Sequence, residues 1–244
     1  MKKHSELRRG SASLRPLLLL GYLGLSACDD VNCIKGEDSI EQRTLSLQPF
    51  TEIEAKGDFI VYVTQGPTQQ VEVKGERNIL DQLNTRVRTG TLDIEHEDCV
   101  RRSKQVEVYI TMPEVKALAL NGSGRIYSEN TLEVNELRTE VNGSGKVGLD
   151  VEAAKVITRV TGSGEVQLHG VAQAHSINMS GSGTAAAFDL EAEDVSVNLS
   201  GSGTAEVSAS KTLSADVSGS GKVFYYGNPS VNTNISGSGK VVKK

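Results

Sequence analysis

The sequence predicts an all-β protein, a right-handed β-solenoid with coils of roughly 20 residues marked by Gly-Ser-Gly turns. Three observations carry this. The tripeptide Gly-Ser-Gly occurs seven times, starting at Gly122, Gly143, Gly162, Gly181, Gly201, Gly219 and Gly237, at intervals of 21, 19, 19, 20, 18 and 18 residues. Apolar and polar residues alternate with period two on both sides of every copy. Aromatic residues make up 4% of the chain and Trp is absent, so a core must be filled by Val, Ile, Leu and Ala, which suits thin stacked layers.

At the N-terminus, Lys2, Lys3, Arg8 and Arg9 form a positive region ahead of the apolar run from Leu17 to Leu25. About nine residues cannot span a bilayer, which needs roughly 20, so residues 1–27 read as an export signal. The run ends in Leu25-Ser26-Ala27-Cys28, which is similar to the lipobox of bacterial lipoproteins. Cys28 is thus the expected lipidation site, attaching the chain to a membrane without spanning it. Asp29 bears on inner-membrane retention in enteric bacteria and leaves the choice of membrane open.

Residues 1–27 contain five of the 26 Lys/Arg and one of the 31 Asp/Glu, so the remainder has 21 basic and 30 acidic residues and a net charge of −9. An acidic exported chain is a poor nucleic-acid binder, since that task needs a basic face. The polar residues that follow, 28–40, read as a tether between lipid and fold.

Residues 41–120 lack Gly-Ser-Gly but carry strand-like runs: Ile53–Ala55, Phe59–Val63, Val71–Val73, Thr91–Ile94 and Val106–Ile110. Asn78 to Leu83 fits a helical turn. A solenoid's first apolar layer needs a cover, and this region is the expected cap and first coils. Cys33 and Cys99 can form one disulfide, closing a loop of roughly 65 residues worth about 4 kcal/mol, or remain two buried thiols; an oxidising compartment favours the bridge. With no C-x-x-C and four scattered His, neither metal nor cofactor is expected.

From residue 121 to 244 the repeat sets the pattern. The residue two before each first Gly is apolar (Leu120, Val141, Val160, Met179, Leu199, Val217, Ile235), and so is the residue two after each second Gly, from Ile126 to Val241. A flexible linker has no reason to hold that register. Glycine allows φ > 0 at a sharp corner, with the Ser side chains stacked there as a ladder. Looser turns are expected at Leu149–Glu152, Leu168–Val171, Phe188–Glu191 and Tyr226–Pro229. Leucine-rich and calcium-binding nonapeptide patterns are absent.

Arg43-Thr44-Leu45, Phe50–Ile53, Gly57–Val63, Val71–Gly75, Gly90–Ile94, Val106–Ile110, Met112-Pro113 and the Gly-Ser-Gly series together resemble the auto-transporter adhesin head GIN domain family over roughly residues 41–242. The resemblance implies a β-solenoid in a bacterial envelope and brings no catalytic residues.

Three clusters stand out. Asp93, Glu95, His96, Glu97 and Asp98, followed by Arg101, Arg102 and Lys104, read as a solvated hairpin. Phe224-Tyr225-Tyr226 is the one aromatic run, either a plug for the apolar column or a surface contact for sugars. His169 and His175 read as surface residues of a loop. The expected function is a non-catalytic envelope lipoprotein whose solenoid serves adhesion, assembly, or protein or glycan contact. The alternatives are a polysaccharide-degrading β-helix enzyme and a structural envelope protein without a specific ligand. The chain is expected to be a monomer, with Lys240, Lys243 and Lys244 guarding the last coil's edge; an edge that docks a copy or partner is the alternative.

Overall fold

In a computed structural model of the chain, residues 33–101 and 103–244 are described. The expected signal 1–27, the lipidation site Cys28 and the first part of the expected tether lie outside the described residues, as does Arg102. The strands are β1 (Ile34–Lys35), β2 (Ile40–Leu45), β3 (Glu52–Gly57), β4 (Ile60–Gln65) and β5 (Gln70–Glu76), followed by helix α1 (Arg77–Leu80). Next come β6 (Leu83–Arg88), β7 (Thr91–His96), β8 (Val100–Arg101), β9 (Glu107–Met112), β10 (Ala117–Gly122), β11 (Arg125–Ser128) and β12 (Leu132–Gly143). The long strands β13 (Lys146–Gly162), β14 (Glu165–Gly181), β15 (Thr184–Gly201) and β16 (Thr204–Gly219) lead to β17 (Lys222–Tyr226), β18 (Ser230–Gly237) and β19 (Lys240–Lys243).

The chain is a β-solenoid. From β10 onward each coil lies parallel on the one before, and the first glycine of each corner pairs with its equivalent, Gly122 with Gly143 through to Gly219 with Gly237. The apolar alternation puts Leu120, Val141, Val160, Leu199 and Val217 into one buried column and Ile126, Val147, Val166, Ala205 and Val223 into another. The corner itself is held by backbone. Ser144, Ser163, Ser182, Ser202 and Ser220 each donate their N–H to the first-glycine carbonyl of an adjacent coil at 2.8–3.0 Å, while the residues themselves are exposed.

Three of the expected loose turns are not breaks. Leu149–Glu152, Leu168–Val171 and Phe188–Glu191 lie inside β13, β14 and β15. Alternation holds through Leu149–Glu152 and resets just beyond it: Ala153 and Val156 are buried, whereas Ala154 and Lys155 between them are not, and Ala154 has no partner in either neighbouring ladder. Only Tyr226–Pro229 interrupts the strand.

Coil stacking begins well before the first Gly-Ser-Gly. β10 pairs with β3, placing Gly122 on Gly57, and β11 pairs with β4. Ser123 and Gly124 donate to the Gly57 carbonyl at 3.0 Å, and Gly57 has φ +134°. Gly57-Asp58-Phe59 is therefore the first corner, with a fully buried Phe59 ring where later coils have glycine. On the other side of this coil lie β7, parallel to β3, and β9, parallel to β4. Antiparallel strands then close the stack: β6 covers β7, β5 covers β9 and β2 covers β5.

The tether expected at 28–40 is corrected over its described part. Ile34–Lys35 and Ile40–Leu45 are strands. β2 turns Ile40, Gln42 and Thr44 outward and keeps Glu41, Arg43 and Leu45 half-buried, so backbone pairing with β5 rather than apolar periodicity selects strand there. The expected helical turn is also shorter: Ile79 and Leu80 are buried in α1, while Leu83 begins β6.

Candidate functional site: the outward faces of the solenoid

Because side chains alternate, each coil sends every second residue outward, and stacking converts these residues into columns. On the face ahead of the corner, the last four coils align three such columns: Ser176–Ser196–Ser214–Asn232, Asn178–Asn198–Asp216–Asn234 and Ser180–Ser200–Ser218–Ser236. All twelve residues are small and polar, and Asp216 is the one that carries a charge. Spacing is about 4.8 Å between coils and about 7 Å along a strand. Amide ladders fix the middle column: Asn198 Nδ2 donates to Asn178 Oδ1 at 3.2 Å and Asn234 Nδ2 to Asp216 Oδ1 at 3.1 Å. A shallow groove of about 420 Å³ follows the grid, bounded at its N-terminal side by Arg159.

Toward the cap the same face becomes charged. Glu52 pairs with Arg138 at 2.7 Å, and Lys56 lies 3.3 Å from Glu54 and 3.6 Å from Asp93. Asn121 donates to Glu54, and Asn142 donates to Asn121 and to Glu140. The acidic cluster read from the sequence is thus divided. Asp93 joins this network, Glu95 accepts from Asn84 at 3.2 Å, and Glu97 faces Arg86 at 3.6 Å. His96 turns inward, its ring 4.6 Å from that of Phe59, and burial lowers its pKa. No cluster of three His, Cys, Asp or Glu among the described residues could hold a metal ion.

Strand alternation splits the aromatic run. Tyr225 packs against the core, whereas Phe224 and Tyr226 point outward. Lys244 Nζ sits 4.4 Å over the Phe224 ring. Tyr226, 47% exposed, meets Phe188 at 4.5 Å beside a groove of about 630 Å³ with Glu191, Glu193 and Ser210 in its wall. Phe188 reaches it because β15 bulges between Ala187 and Glu191.

Two features escaped sequence reasoning. Tyr109, Tyr62 and Tyr127 stack on adjacent coils with centroids 5.0 and 6.2 Å apart. Each lies in a separate segment, and only the non-sequential stacking of β9, β4 and β11 unites them. The Tyr109 hydroxyl donates to Glu107, which also accepts from Lys74; the Lys74 and Tyr109 bonds hold the Glu107 carboxyl below its usual range. The second feature is His175, which is buried and not on a loop surface, with Nε2 3.0 Å from Thr158 Oγ1. The alternation reset at Gln173–Ala174 turns it inward, and burial pushes its pKa down to about 4. His169 is exposed, 3.6 Å from Asp189.

Cys33 and Cys99 are bonded to each other, with Cα atoms 4.6 Å apart, beside the short parallel pair β1–β8.

The molecule has clear structural relatives. It is similar to a protein of Bacteroides fragilis described as a "putative adhesin", at 26% identity and TM-score 0.83, over 86% of this chain and all of that one. It shares its fold with a "putative lipid binding protein" of Parabacteroides distasonis, at 24% identity and TM-score 0.71, over 86% and 99% of the two chains. A "putative adhesin" of Parabacteroides merdae has the same fold at 17% identity and TM-score 0.70, over 86% and 98%. A search of curated proteins finds no significant match. The family described as "Putative auto-transporter adhesin, head GIN domain" matches residues 49–229. With most of its length matched and the repeated corner continuous from Gly57 to Gly237, the chain belongs to the head GIN domain family.

Proposed function

We propose that the chain is an envelope lipoprotein, anchored through Cys28, whose solenoid is a non-catalytic module that contacts hydroxyl-rich glycans. The observation that carries this is the grid of Ser, Asn and Asp on the last four coils. Serine hydroxyls and asparagine amides donate and accept equally well, as sugar hydroxyls do. A regular, nearly uncharged array can meet an extended polymer at several points, so weak contacts sum. The adhesin names among the relatives agree with a contact role, and the lipobox supports the anchor.

The enzyme alternative is less well supported. Glycoside hydrolysis ordinarily uses two carboxyl groups about 5–9.5 Å apart, and the grid carries one, Asp216. A structural protein without a ligand is separated by experiment. Purified chain is applied to an array of envelope and host polysaccharides, beside the triple variant Asn178→Ala, Asn198→Ala, Asp216→Ala. Binding that drops at least about tenfold in the variant, without release of reducing sugar, supports the proposal. Equal binding by both chains moves the contact elsewhere, with Tyr226→Ala as the next variant. Absence of binding by either chain overturns it.

A further inference from the structure

The two ends of the solenoid are finished differently. At the cap, antiparallel strands cover the stack, and the strand edges there carry Glu41, Arg43, Arg86 and Arg88. At the opposite end β18 pairs with β16 on one side, and among the described residues nothing pairs with its other side. All eight of its residues are exposed, including Val231 at 41% and Ile235 at 42%. Such an edge offers a row of free N–H and C=O groups to another strand.

The lysines expected to guard this end do not lie on β18. Lys243 Nζ bonds Asn228 Oδ1 at 2.5 Å, and Lys244 sits over Phe224. Lys243 is thus tied to the turn that leads into β18 and Lys244 to β17, while β18 itself has no charged residue at all.

The sequence of β18 is nearly a palindrome. About Thr233, Asn232 mirrors Asn234, Val231 mirrors Ile235 and Ser230 mirrors Ser236. An antiparallel pair centred on Thr233 would place each residue opposite its like. Residues directly opposite in such a pair share a face, with Cβ atoms about 4.5–5.5 Å apart. Val231, Thr233 and Ile235 continue the buried columns of the coil before, Leu213, Ala215 and Val217. Their pairing would join the apolar interiors of two molecules, while Asn and Ser pairs lie on the outer face. A two-fold interface requires this self-complementarity.

We propose that β18 is the two-fold interface of a homodimer, formed by antiparallel pairing with β18 of a second copy in the register that sets Thr233 against Thr233. The two β19 strands then fall at opposite ends of the interface, so their lysines do not oppose one another. The two serine-asparagine grids abut across the junction.

Register-specific cross-linking tests this in the full chain, expressed in its envelope. Thr233→Cys should give a disulfide-linked species of twice the mass on non-reducing gels. Val231→Cys or Ile235→Cys alone should not, whereas the two single variants expressed together should. Sedimentation of the detergent-solubilised protein should give a dimer, and Thr233→Lys, which sets like charges opposite each other, should weaken it by at least about tenfold while leaving the β-sheet circular dichroism unchanged. A wild type that sediments as a monomer overturns the proposal. So does cross-linking by Val231→Cys alone that matches Thr233→Cys, which would indicate unspecific edge contact. Binding of β18 to a different envelope protein would appear as a Thr233→Cys adduct of another mass and would equally overturn it.

Discussion

The first glycine of each corner is needed for two separate reasons. At Gly181, φ is +115°, and a Cβ there would sit 2.5 Å from the Gly162 carbonyl oxygen of the coil below. Backbone strain of that kind costs on the order of 1–3 kcal/mol before the clash is counted. Gly181→Ala should therefore lower stability by roughly 3 kcal/mol, whereas Ser182→Ala, at an exposed position whose N–H makes the ladder bond, should stay within about 0.5 kcal/mol; urea unfolding midpoints measure both. His175 makes a different prediction. Its folded pKa of about 4 lies below the ordinary 6.5 because burial disfavours the charged ring. Between those values the unfolded chain binds a proton that the folded chain does not. The full contribution is thus present above about pH 6.5 and falls as pH drops toward 4, a loss of about 3 kcal/mol. His96, lowered in the same direction by burial, adds to the trend. His175→Leu should cost about 1 kcal/mol at neutral pH by leaving Thr158 unpaired, and should flatten the decline below pH 6.5. Unfolding midpoints at pH 4.5 and 7.5 for both chains check the sign, and an equal slope in the two would refute it.

Among the elements, the N-terminal segment is fastened by few contacts. β1 pairs with β8 through two residues, Ile34 and Lys35, next to the Cys33–Cys99 bond. The buried Glu76 carboxylate accepts from the backbone N–H of Asp38 at 2.6 Å and of Lys104 at 2.8 Å. Gly36 lies so close to that carboxylate that a Cβ would overlap its oxygens. The bond closes a sequence separation of 66 residues, for which loop entropy gives about 4 kcal/mol. Cys99→Ser should lower stability by up to that amount and raise amide exchange first at residues 34–45. Thiol titration of the denatured, exported wild type should find neither Cys33 nor Cys99 free, and two reactive thiols would contradict the pairing.

For the molecule as a whole, the stack is quasi-one-dimensional, and each coil is stabilised by its neighbours. No described helix is long and apolar enough to cross a membrane. The proposed attachment rests on the lipobox-like Leu25-Ser26-Ala27-Cys28. Cys28→Ala should abolish palmitate labelling and shift the protein out of the membrane fraction; labelling that persists would refute the anchor.

Much of this was legible in the sequence because a solenoid is built from local, repeated rules. The Gly-Ser-Gly corners, the alternation around them and the apolar columns from Leu120 to Val217 all follow from residue type and spacing. So did the strands of the cap, since Val, Ile and Tyr in alternation fix strand locally. What the sequence could not reveal depends on pairing between distant segments. Gly57-Asp58-Phe59 carries no repeat signature, and only the register of β10 on β3 identifies it as a corner. The tyrosine stack joins residues 47 and 65 positions apart in the chain, through β9 and β11 lying on either side of β4. His175 was misread because a one-residue reset at an unbroken corner reverses which side chains face inward, and that reset has no fixed residue type. Sequence alone determined the coil and its chemistry; tertiary stacking decided which coils are neighbours, and hence which side chains form a surface, because columns exist only once strands from different turns lie about 4.8 Å apart.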